Sequence, residues 1–245
     1  MATTAIIIIA IVVIAFLLYY VSQSSQSLSS TVGATTMQTI PSTSLAANNN
    51  PVNFAYSIWF FINDWQYNYG QNKVVFGRMN SNLLQDQSVV ISDIQNNSPC
   101  PVVLLGDYQN DLIIFLSQTP STGTSISVPE PVIISNVPLQ KWVNLVISVY
   151  GKTMDLYIDG KLIQTVVMLG TANVNNTENV YITPLGGFNG WTSNFQYFAN
   201  PLNPQQVWDI YQQGYSGSMM SSLSNSFNLT VTVNNNGVPT KTFTI

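Results

Sequence analysis

The chain has 245 residues, 46% of them hydrophobic and only 7% charged, with no histidine, one cysteine and a formal net charge of −4. That length and apolar content suffice for one sizeable core, while the scarcity of Lys and Arg argues against nucleic acid, whose binding depends on neutralising phosphates. Cys100 alone excludes internal disulfides and, with no histidine to activate it, reads as a small buried or loop thiol. Asn, Gln, Ser and Thr carry most of the polarity, which leaves little charge repulsion to oppose packing against neighbours or a membrane.

In chain order, the first element is Ala5–Val21 (AIIIIAIVVIAFLLYYV), an uncharged apolar run near the lower limit for crossing a bilayer as a helix. Ile6, Ile9, Val13, Phe16 and Leu17 are its anchoring residues, and Tyr19 and Tyr20 fall where an interfacial aromatic belt lies. It lacks a basic n-region and a clean small-x-small cleavage site, which favours a retained anchor over a cleaved signal peptide or a buried core helix. Residues 1–21 are therefore expected to be a single-pass transmembrane anchor. Residues 22–50, a Ser/Thr/Gln/Asn/Ala tract with one proline and no charge, read as a low-complexity tether or as an extended segment ordered against partner proteins.

The folded body is expected over residues 51–218. Phe54, Tyr56, Ile58, Phe60 and Ile62 alternate with Ala55, Ser57, Trp59 and Phe61, a strand apolar on both faces and hence central. Lys73–Arg78, Pro101–Leu105, Asp111–Ser117 and Val132–Ser135 are further short β runs between Asn/Gly/Pro-rich turns. The stretch from Lys141 to Val167 carries the clearest pattern. Val143, Leu145, Ile147 and Val149 make one apolar row, Met154, Leu156 and Ile158 a second, and Asp159-Gly160 supplies the positive-φ pair of a tight hairpin before Leu162–Val167 returns. Asn179–Thr183 and Ser193–Phe198 add strands. Asn203, Pro204 and Gly214 frame a short helix with Val207, Ile210 and Tyr211 on one face. Residues 219–245 read as a C-terminal tail with a hairpin around NNNG. The strands up to Val167 number about eight, the count of a jelly-roll sandwich, and the two beyond Val167 add to it.

The phrases FAYSIWF (Phe54–Phe60), PLQKWVNLVISV with LYIDG (Pro138–Gly160) and GWTSNFQYFANPLNPQQ (Gly190–Gln206) resemble the concanavalin A-like lectin/glucanase superfamily in its LamG-like jelly-roll form. Within it they look most like a branch found in large double-stranded DNA viruses of algae and protists, where such domains follow an N-terminal membrane segment. The resemblance spans about Asn53 to Ser218. It implies an all-β, concanavalin A-like jelly-roll sandwich with an N-terminal transmembrane helix and one short C-terminal-side helix.

Glucanase members cleave with paired acidic residues at alternate positions of one strand, because glycoside hydrolysis needs an acid and a nucleophile or base at fixed separation. Here Glu130 is wedged between Pro129 and Pro131, and Glu178 lies in the turn-like NNTEN, so neither has a partner carboxylate on a strand. Asp155 and Asp159 share a strand face, but Asp159 is explained by its turn. No D-x-D-x-D-G spacing points to calcium. The expectation is a chain with no catalytic residues, no metal and no cofactor. Asp64-Trp65-Gln66-Tyr67-Asn68-Tyr69 is the candidate interaction surface, with Trp65, Tyr67 and Tyr69 either stacking sugars or contacting protein. Two functions remain in view. One is a minor capsid protein in the virion's internal membrane beneath the capsid, linking lipid bilayer to shell, with major and other minor capsid proteins as partners. The other is a lectin-like surface protein binding glycans.

Overall fold

The computed structural model describes residues 27–71, 73–81, 93, 98–120, 130–216, 230–235 and 238–244. The apolar run with Ile6, Ile9, Val13, Phe16, Leu17, Tyr19 and Tyr20 lies outside them. Among the described residues no helix is long and apolar enough to cross a membrane. The chain divides into two compact units, Ser27–Tyr215 and the combination of Met1–Gln26 with Ser216–Ile245. In the second unit β15 (Thr230–Asn235) pairs antiparallel with β16 (Val238–Thr244), the hairpin expected around NNNG.

Ser27–Tyr215 is an all-β sandwich of two six-stranded sheets. The first sheet runs in the order β1 (Val32–Gly33), β14 (Asn189–Phe198), β3 (Phe54–Asp64), β9 (Trp142–Tyr150), β10 (Thr153–Ile158) and β11 (Lys161–Val167). The second runs β2 (Gln38–Ile40), β13 (Val180–Ile182), β4 (Lys73–Arg78), β5 (Val102–Leu105), β6 (Leu112–Phe115) and β8 (Val132–Ile134). A small two-stranded sheet of β7 (Gln118–Pro120) and β12 (Gly170–Ala172) completes the unit. Every paired strand is antiparallel, as the alternating patterns require.

The apolar rows meet between the sheets. Phe54, Tyr56, Ile58 and Phe60 of β3 and Val143, Leu145, Ile147 and Val149 of β9 join Val103, Leu105, Leu112 and Ile114 of the second sheet in one buried cluster. Each such side chain contributes about 1.5–3 kcal/mol by leaving water. Aromatic rings knit the centre: Tyr56 lies 5.7 Å from Phe76, 5.9 Å from Phe195 and 5.1 Å from Tyr197. Cys100, also in this core, is pushed by burial from 9.0 to about 12.

The helix α1 (Pro204–Gln213) covers part of the outer face of the first sheet, burying Ala55, Val146 and Tyr157 against Leu202, Val207 and Ile210. Asn203 accepts from the Gln206 amide at 2.9 Å while Gln206 Oε1 accepts from the Asn203 amide at 2.9 Å, a reciprocal cap. The Ser148 hydroxyl fastens the preceding segment by accepting from Leu202 N at 2.9 Å and donating to its carbonyl at 3.2 Å. The turn expected at Asp159-Gly160 has φ of 50° and 75°. A Cβ at Gly160 would come within 2.9 Å of Trp208, so glycine both makes the turn and admits the helix.

From Ser27 onward the expected tether is part of the sandwich. Val32 and Gly33 pair with Thr192 and Trp191, Gln38–Ile40 pair with β13, and Ala34 and Ile40 are buried. A polar segment does this without an apolar face of its own, because an existing edge already presents unpaired N–H and C=O groups. β14 also starts at Asn189 rather than Ser193, since Gly190 tolerates an approach to the Phe61 carbonyl that any Cβ would obstruct.

Candidate functional site

Three loops at one end of the sandwich form an open depression of about 640 Å³. The β3–β4 connection brings Trp65, the β5–β6 hairpin brings Tyr108, Asn110 and Asp111, and the β8–β9 connection brings Asn136 and Leu139. Gln109 and Ser135 complete the lining.

Hydrogen bonds between the loops hold these residues in place. Asn110 Nδ2 donates to the Val137 carbonyl at 3.0 Å while Val137 N donates to the Asn110 carbonyl at 2.8 Å. Asn136 N donates to Asp111 Oδ1 at 3.3 Å, with Asn136 at φ 61°, a conformation asparagine tolerates better than most residues. Gly106 N donates to the Asp111 carbonyl at 2.9 Å, and a Cβ on Gly106 would sit 2.5 Å from the Gln109 carbonyl, so the hairpin turns tightly only with glycine there.

Trp65 packs its inner side on the core and is backed by Lys73, whose Nζ lies 4.7 Å from the ring centroid. Lys73 is 1% exposed, and its ammonium donates to the Asn68 and Asp107 carbonyls at 3.4 and 3.5 Å. Burial lowers its pKa from the ordinary lysine value, against the opposing pull of the nearby Asp107 charge. Of the expected surface residues, Trp65 therefore lines the depression. Tyr69 stands beside it, exposed and edge-on to Tyr108 at 5.4 Å, whereas the Tyr67 hydroxyl donates to the Gly186 carbonyl at 3.2 Å and props the loop.

A second aromatic group occupies the outer face of the first sheet. Trp59 stacks on Tyr211 at 5.5 Å, Trp142 stacks on Tyr215 at 4.4 Å with rings 3° from parallel, and Phe61 touches both Trp142 and Trp191. Ser193 Oγ donates to the Tyr215 carbonyl and Asn194 Nδ2 to the Gly214 carbonyl, fixing the segment after the helix. Here the chain's own rings stack on one another and bury Trp59 to 5% exposure, while Trp191 and Tyr215 at the margin stay 43% exposed.

Three of the acidic residues singled out in the sequence have partners of their own. Asp159 accepts from Lys141 Nζ at 2.8 Å and from Asn144 N at 3.0 Å, which raises the Lys141 pKa through that hydrogen bond. Asp155 accepts from Thr165 at 2.6 Å. Glu178 accepts from Asn175 at 3.2 Å, and burial raises its pKa. Among the described residues no cluster of three or more His, Cys, Asp or Glu could hold a metal.

Tyr108, Asn110, Asp111, Asn136 and Leu139 carried no signal in the sequence, because the strand order alone brings their loops beside Trp65. The turn-rich DYQND could have marked the β5–β6 loop, but nothing in it names a neighbour.

Fold and site together define an antiparallel β-sandwich with an aromatic and polar depression at its loop end. No protein-family model and no curated protein matches the chain. Solved structures do. A tryptophan mutant of HCR/D aligns with TM-score 0.51 at 14% identity, over 80% of this chain and 47% of that one. The binding domain of botulinum neurotoxin serotype D/C aligns with TM-score 0.50 at 18% identity, over 75% and 43%. The binding domain of botulinum neurotoxin DC in complex with SialylT aligns with TM-score 0.47 at 19% identity, over 66% and 35%. This chain thus spans less than half the length of each, and the likeness is one of β-sandwich fold.

Proposed function

We propose that this chain is a non-catalytic, lectin-like recognition module of jelly-roll type, held at a membrane by residues 1–21. The observation that carries the reading is the depression at the loop end. Aromatic faces for sugar C–H groups and amide, hydroxyl and carboxylate groups for sugar hydroxyls converge there on hydrogen-bonded loops. The absence of an enzymatic role is part of the proposal. Asp155 and Asp159 have partners of their own, and the chain has only two glutamates, Glu130 and Glu178, which lie in separate loops. The test uses the full chain in detergent or nanodiscs on a glycan array. Binding that Trp65→Ala abolishes, with no sugar release from any bound glycan, is the expected result; an array without signal, or signal indifferent to Trp65, overturns it.

A second reading keeps the same sandwich as a minor capsid protein of the viral branch that the sequence resembles, anchored in the virion's internal membrane and docked beneath the shell. The observation that favours it is the row of exposed apolar residues along and after β11, with Leu162 and Ile163 about half exposed, Val167 77% and Leu169 82% exposed. Subunit interfaces use such surfaces. Cross-linking in purified particles should then join this row to capsid protein, and particles from which the chain is missing would refute it.

A further inference from the structure

We infer that the depression at the loop end takes neutral glycans and discriminates against acidic ones. This deepens the lectin-like reading and rests on it. Among the described residues that line it, Asp111 is the only acidic one and none is basic. The nearest lysine is spent elsewhere: Lys73 lies behind the Trp65 ring, 1% exposed, its ammonium turned to two backbone carbonyls. Arg78 is 3% exposed and donates to the Glu178 carbonyl, and Lys141 is held by Asp159 on the first sheet. A sialic acid carboxylate or a sulfate placed in this depression meets one like charge and no counter-charge.

What the depression does offer suits uncharged hydroxyls. Asp111 Oδ1 is occupied by Asn136 N, which leaves Oδ2 to accept from a sugar hydroxyl. Asn110 Nδ2 is occupied by the Val137 carbonyl, which leaves its Oδ1 as a second acceptor. Among the described residues, the side-chain amides of Gln109 and Asn136 and the hydroxyls of Tyr108 and Ser135 make no hydrogen bond with one another or with the backbone. They supply donors that neutral hydroxyls can meet without desolvating a charge. Trp65, Tyr108 and Leu139 supply the apolar faces on which a pyranose ring rests.

The experiment titrates the full chain in nanodiscs with matched oligosaccharides that share a core and differ only in carrying sialic acid, sulfate or neither. Neutral members bind at least tenfold more tightly than their acidic counterparts. Asp111→Asn, which keeps the loop's acceptor for Asn136 N, narrows that ratio, and Asp111→Lys inverts it; near-UV circular dichroism checks that both variants keep the fold. Acidic members bound as tightly as neutral ones, or a ratio unmoved by Asp111→Lys, overturn the inference and leave the lectin-like reading standing. No binding to any member overturns that reading itself.

Discussion

The two aromatic groups of the sandwich are built from the same residue types and reach opposite ends. On the outer face of the first sheet, Trp59 and Trp142 are stacked by Tyr211 and Tyr215, side chains of the helix and the segment after it. At the loop end, Tyr108 is 64% exposed and shares the lining of an open depression with Trp65. Aromatic composition therefore does not mark a binding surface. What distinguishes the two is whether the chain supplies its own stacking partner.

Breaking the closed group carries the largest expected effect. Trp59 is 5% exposed, and Trp59→Ala should cost about 3–5 kcal/mol, read as a fall of roughly 10 °C in Tm. The open group responds in the other currency: Trp65→Ala should lower glycan affinity at least tenfold, about 1.4 kcal/mol by titration calorimetry, with a smaller fall in Tm than Trp59→Ala. If both variants lose stability alike, the distinction between closed and open groups fails. Asn203→Ala sharpens it further, because loss of the helix cap loosens the element that presents Tyr211. Denaturant unfolding should show about 1 kcal/mol lost, with glycan affinity unchanged. The smallest effect is expected at Cys100, which lies in the core between the sheets and away from both groups. Burial raises its pKa to about 12, so the folded state holds the proton and thiol labelling at pH 9 stays silent until denaturant exposes a group that then ionises near 9.0.

Much of the sandwich is legible in the residue pattern alone. The row Val143, Leu145, Ile147, Val149 could only be buried on one face, and Asp159-Gly160 could hardly be other than a tight turn. Asn203 and Pro204 announced the helix, although the reciprocal bond from Gln206 was not foreseen. The outer face of β3 reads as apolar in the sequence, but the ring that covers Trp59 is Tyr211, far along the chain. β1 and β2 were missed because their pairing depends on edges that other strands create, and their own residues are Val, Gly, Gln, Thr and Ile in a polar tract. The depression was legible only at Trp65 and its neighbour Tyr69. Contacts between loops joined by strand order leave no periodicity in the residues themselves, and Tyr67, expected at the surface, instead braces Gly186.

The segment that supplies β1 and β2 has a consequence for how many molecules can join. It stops one border of each sheet with strands of only two and three residues, too short to template another chain. The long border left on the first sheet is β11, on the opposite flank. Strand-to-strand pairing through that border joins two copies about a twofold axis and uses up the border in doing so, so growth along the first sheet stops at a pair.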